Sequence, residues 1–204
     1  MNRALTFISC AALTLLVSAA AAQSLAFTPA ADAPPVRVGG AARGGGEALA
    51  LTILAPPMLA DTASPRPTIY WHASRPVENP VEIVLIEEGG EEAIFETQLA
   101  PPLTAGRHAI ALPESVRLTP GTIYQLSVAA VADAQARSND VFASTLLRRR
   151  AAPTGLPEAS RARIEQFAAS GFWFDALHLL LEEPGDQQAL NSLLEAAGLP
   201  TEEM

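Results

Sequence analysis

Between Ala48 and Leu147, short apolar or alternating runs recur about every ten to fifteen residues, separated by Pro, Gly, Asn and Asp, which is the pattern of strands joined by turns. Seven strands are predicted: Ala48–Leu54, Thr68–Ala73, Val81–Glu87, Ala93–Leu99, His108–Leu112, Ile123–Val131 and Val141–Leu147. Successive strand side chains point to opposite faces. Ile69, Trp71 and Ala73 therefore share one face, and Thr68, Tyr70 and His72 the other. Trp71 is the expected centre of the core. Tyr124, Leu126, Val128 and Ala130 should face the same interior, with Ile83 and Leu85 approaching across the roughly 10 Å that separates packed sheets. Pro56-Pro57, Pro76, Pro80, Pro101-Pro102 and Pro113 fall at run ends, where a missing N–H costs no ladder bond.

The stretch Leu118-Thr-Pro-Gly-Thr-Ile-Tyr124 places a Pro-Gly turn directly before an alternating strand. A Tyr so placed can bury its ring between two sheets while its hydroxyl bonds backbone a few residues upstream, the tyrosine corner of immunoglobulin-like sandwiches. The stretch also resembles the corresponding part of fibronectin type III domains. The expected fold is mainly β: a seven-stranded immunoglobulin/fibronectin type III-like sandwich followed by a small α-helical, tetratricopeptide-like hairpin.

After Arg150 the period changes. A Pro/Gly-rich linker at 151–157 precedes three helical patterns, Glu158–Ala169, Phe172–Glu182 and Asp186–Ala197, in which Ile164, Phe167 and Ala168, then Phe174, Leu177 and Leu181, then Leu190, Leu193 and Leu194 repeat at helical spacing. Gly171, Pro184-Gly185 and Gly198-Leu-Pro200 mark the breaks. Short amphipathic helices must pack on one another, on the sandwich or on a partner.

At the other end, Arg3, the apolar stretch Ala4–Ala20 and the small residues Ala20-Ala-Ala22 read as a secretory signal peptide cleaved near Ala22. Residues 23–47 are Ala, Pro and Gly with few large apolar side chains, and read as a disordered tether. The expected organisation is thus signal peptide 1–22, tether 23–47, β-sandwich 48–150, linker 151–157 and helical segment 158–204. Localisation follows as periplasmic or secreted.

Charge and composition narrow the chemistry. The formal charge is -9 and every basic residue is Arg, which disfavours nucleic acid or an anionic membrane as partner and removes lysine-based Schiff-base chemistry. The single cysteine, Cys10, lies in the leader, so a processed chain carries no thiol. No stable membrane insertion is expected after cleavage. Arg148-Arg149-Arg150 reads as a solvated strand end.

Asp175, His178 and Glu182 share one helical face by spacing and could meet a metal, yet acids and an occasional His are also the ordinary wet face of a helix. Asp175 is expected to bond an Arg, such as Arg137 or Arg163, or a backbone N–H. His72 and His108 belong to no catalytic motif. The glutamate pairs Glu87-Glu88, Glu91-Glu92 and Glu182-Glu183 diverge as neighbours, so neither strand nor helix aims both carboxyls across one bond. No catalytic, metal or cofactor-binding residue is assigned. Phe172-Trp173-Phe174 spreads around a helix, so Phe172 and Trp173 are candidates for an exposed interaction surface, with Tyr70 and His72 on the sheet face; burial of all three aromatics between sandwich and hairpin is the structural alternative.

Several stretches together resemble the bacterial domain-of-unknown-function 928 family: Arg43-Gly-Gly-Gly46, Arg66-Pro-Thr-Ile-Tyr-Trp71, the corner strand ending in Val131, Arg137-Ser-Asn-Asp-Val-Phe142, Ala169-Ser-Gly-Phe-Trp-Phe-Asp-Ala-Leu177 and Leu193-Leu-Glu-Ala-Ala-Gly-Leu199. The resemblance implies a secreted or periplasmic protein and carries no assigned reaction, ligand or catalytic residue. Ala169–Leu177 is also similar to one helical pair of a tetratricopeptide repeat. The expected function is an exported, non-enzymatic protein-interaction or structural module bound to envelope proteins. A carbohydrate-binding module using Tyr70 and His72 is the alternative, and an enzyme of unrecognised type the third.

Overall fold

The computed structural model describes residues 25–35, 48–183, 186–199 and 201. The signal-peptide stretch 1–22 and the Gly-rich part of the tether lie outside the described residues.

Among the described residues the chain is mainly β, with eight strands followed by three α-helices: β1 Leu51–Ile53, β2 Ala60–Thr62, β3 Thr68–Ala73, β4 Val81–Glu87, β5 Ala93–Leu99, β6 Gly106–Ala111, β7 Ile123–Ala130, β8 Val141–Arg149, α1 Ser160–Ala169, α2 Trp173–Glu182 and α3 Gln187–Ala196. One sheet has three strands in the order β1-β3-β6, the other five in the order β2-β8-β7-β4-β5. The pairings are antiparallel except β2 with β8, which runs parallel through Ala60↔Leu147 to Thr62↔Arg149.

The two sheets enclose one core. Ile69, Trp71 and Ala73 enter it from β3, Val81, Ile83 and Leu85 from β4, and Tyr124, Leu126, Val128 and Ala130 from β7. The alternation of each strand thus places its even or odd set inside, as the period of two requires. Trp71 is fully buried and stacks on His108 of β6, its direct cross-strand partner, with ring centroids 4.4 Å apart. The Tyr124 ring is buried, and its hydroxyl accepts a hydrogen bond from the Thr119 N–H at 2.9 Å. Between them Gly121 adopts φ +85°, a left-handed value that a residue with a Cβ would resist.

β2 departs from the expected set. Ala60-Asp-Thr62 shows no apolar alternation, yet all three residues are buried. Asp61 is tolerated there because Arg148 and Arg150 of the distant strand end neutralise it. The same contact corrects the expectation that Arg148–Arg150 is a solvated run.

A second correction concerns residues 25–35, expected to belong to a disordered tether. Leu25 is buried, Phe27 meets Trp173 edge-on at 5.0 Å, and the Thr28 N–H donates to the Ala168 carbonyl at 3.1 Å. Pro35 bridges to Met58, and Asp32 receives a two-pronged bond from Arg148 at 2.6 and 3.0 Å. Two large apolar side chains and one carboxylate are enough to seat an otherwise Ala- and Pro-rich segment.

Candidate functional site

The residues with chemical promise converge where the helices meet the sheets. α1 ends at a turn through Gly171, whose φ of +85° reverses the chain into α2. The Asp61 N–H donates to the Gly171 carbonyl at 3.3 Å, so β2 is bonded to this turn.

Phe172, Trp173 and Phe174 are all buried, the structural alternative of the two readings, so the candidate surface at Phe172 and Trp173 is not exposed. The physical reason is that Phe172 precedes the helix as its N-cap, so the three rings do not fan around one cylinder. Phe172 turns toward Phe167 of α1, at 5.9 Å between centroids, under the Arg150 guanidinium at 4.8 Å. Trp173 donates its indole N–H to the Leu54 carbonyl at 2.7 Å.

Asp175 accepts a hydrogen bond from the Ala63 N–H at 2.9 Å, the backbone alternative among its expected partners. Burial pushes its carboxyl above the ordinary value, with the Ala63 bond opposing that rise. Arg137 pairs instead with Glu82 and Asp140, and Arg163 donates to the Pro157 carbonyl. His178 Nδ1 lies 2.9 Å from the Tyr70 hydroxyl. Tyr70 is 6 % exposed, so α2 covers a side chain expected on an open sheet face, while His72 stays half-buried. Burial raises the Tyr70 phenol above its usual range, and the Glu182 charge adds to the rise. Asp175 and His178 thus serve different partners. Among the described residues no group of three His, Cys, Asp or Glu side chains could hold a metal ion. The recess that Asp175 and His178 share with Thr62, Ser64 and Arg66 has a volume of about 60 Å³, far below a pocket for an organic substrate.

Asp61 is fully buried. Arg148 Nε donates to its Oδ1 at 2.8 Å, and Arg150 Nε lies 2.7 Å from Oδ2 in an ion-pair contact whose angle is not that of a hydrogen bond. Arg149 donates to the Leu118 carbonyl and Arg150 to the Ser170 carbonyl, each at 3.0 Å. One strand end thereby fastens β2, the Tyr124 corner and the α1–α2 turn.

A larger pocket, of about 210 Å³, opens between β1, β8 and the end of α3. Ile53, Ala55, Pro56, Pro57, Thr145 and Leu199 help to line it, and among the described residues no charged side chain does. The Thr145 hydroxyl is buried without a hydrogen-bond partner among the described residues. This pocket was not legible in the sequence, because its walls come from three separated segments.

A family model described as Domain of Unknown Function (DUF928) matches residues 38–203. The chain belongs to this family. The matched stretch of this DUF928 chain covers both sheets and all three helices, and begins after the segment 25–35. No curated protein matches the DUF928 chain. No helix among its described residues is long and apolar enough to cross a membrane.

Proposed function

We propose that this chain is an exported, non-enzymatic protein of the cell envelope that works as a protein-interaction or structural module. The observation that carries this reading is what its reactive side chains do. Tyr70, His178, Asp175, Asp61 and Arg148–Arg150 are each engaged in fastening helix to sheet or strand to strand. Groups held in such bonds rigidify a scaffold. Export rests on the basic start, the apolar run to Ala20 and the small residues up to Ala22.

The immunoglobulin/fibronectin type III-like plan belongs to the same proposal. It is supported by three strands facing five, with the first strand pairing in one sheet and the next running parallel to the last strand in the other. The Tyr124 bond to Thr119 also favours it. The α1–Gly171–α2 pair supports a tetratricopeptide-like hairpin, here packed on β2 rather than on further repeats. The carbohydrate-binding alternative has less support, because Tyr70 lies beneath α2.

Cross-linking in intact envelopes followed by mass spectrometry tests the proposal. A specific envelope protein joined to the chain is the expected result. Fractionation that finds the chain in the cytoplasm with residues 1–22 retained would overturn it.

A further inference from the structure

From Val141 to Leu146, β8 pairs with β7 on one side and with no strand on the other among the described residues. β2 occupies that free side only from Leu147 to Arg149. The chain between β1 and β2 does run past Ser144 and Thr145, where both meet the pocket, but it does so through Pro56 and Pro57. Neither proline has an N–H, so this connection is a poor partner for the β8 ladder. Unpaired strand backbone is a ready template for another strand.

Three further features lie on the same stretch. Phe142 is 44 % exposed, and is the large apolar side chain left in solvent among the described residues. Thr145 is 3 % exposed, lines the pocket and has an unpartnered hydroxyl. The pocket volume of about 210 Å³ falls below the roughly 300–1,000 Å³ of drug-sized ligand sites, and suits a single side chain.

We propose that the edge of β8 left unpaired among the described residues receives an extended, uncharged segment of a partner protein as an added strand, with one apolar side chain of that segment seated in the pocket beside Thr145. The inference rests on the interaction-module reading and names the face it would use. A peptide is the occupant because the open edge offers backbone donors and acceptors, which only another backbone satisfies in series. It is uncharged because the pocket presents no charged side chain. β2 already docks on this edge, so the added strand continues an existing ladder.

The test is to pan a phage-displayed random peptide library on the full chain, keeping phage that bind the wild type and not Phe142→Lys, an exposed-site change that puts a charge at the edge. Selected peptides should alternate apolar and uncharged polar residues, and should slow amide exchange at Val141–Leu146 about tenfold. N-methylation of alternate backbone amides in the same peptides should abolish both effects. Recovery of no such peptides, or equal binding after N-methylation, overturns the proposal. So does concentration-dependent dimerisation with the exchange slowing at β8 in the absence of peptide, which would make a second copy the occupant. An envelope cross-link that persists in Phe142→Lys removes this docking mode and leaves the general function intact. Peptide binding at β8 without any envelope partner does the reverse.

Discussion

The indole N–H of Trp173 donates to the carbonyl of Leu54 at 2.7 Å, a buried bond between the first residue of α2 and the residue just after β1. Trp173→Phe keeps most of the ring and leaves that carbonyl without its donor. A loss of about 1–3 kcal/mol is expected, read from the denaturant midpoint. An unchanged midpoint would mean that the helices dock without this bond.

Trp71 is the contrasting case, since its indole N–H is buried with no hydrogen-bond partner among the described residues. Trp71→Phe should therefore cost less than Trp173→Phe. Trp71→Ala empties the centre of the core and is expected to cost about 3–5 kcal/mol by equilibrium unfolding. If the two alanine and phenylalanine variants unfold together, the core is centred elsewhere.

Tyr124→Phe removes only the acceptor of the Thr119 N–H. The expected cost is about 1–2 kcal/mol, with faster exchange of the Thr119 amide as its local signature. Slower or unaltered exchange at that amide would contradict the corner geometry.

Asp61 is the buried carboxylate held between two guanidiniums. Asp61→Ala removes the ion pair of Arg150 and leaves Arg148 with Asp32 alone, and should cost about 3 kcal/mol in thermal or denaturant unfolding. A variant as stable as wild type would show that the guanidiniums reach solvent once the carboxylate is gone.

Asp32 links acidity to the seating of segment 25–35. Its hydrogen bonds from Arg148 lower the carboxyl from an ordinary 3.8 to about 2. A depressed carboxylate stabilises the seated state fully above pH 3.8, and that contribution is lost as pH falls through about 2. A carboxyl NMR titration should place the Asp32 midpoint near the lower value, and an Arg148→Gln variant should return it toward the upper one. A midpoint near 3.8 in the wild type would mean that no such clasp forms in solution.

Strands whose character is local were legible in the sequence. β3, β4 and β5 are apolar-rich runs bounded by Pro, Gly or charged turns, so their expected limits coincide with those observed. β2 was not, because burial of Asp61 depends on arginines 87 or more positions away. The segment 25–35 escaped for a similar reason: its composition is that of a tether, and its order comes from Trp173, Ala168 and Arg148. The interaction surface expected at Phe172, Trp173 and Tyr70 failed on geometry rather than chemistry. Helical spacing says how side chains fan around an axis, but it does not say that Phe172 stands outside the helix or that α2 covers Tyr70. The pocket at Thr145 needed the closing of β1, β8 and α3 around one space.

A Cβ built on Gly171 would come within 3.1 Å of the Ala30 nitrogen and 3.3 Å of the Thr28 oxygen. The bend between the helices and the leading segment therefore share a volume with no room for one more methyl group. Proteolytic trimming near residue 30 would unroof that bend, so damage at the front of the polypeptide would be felt first in the helices at its back.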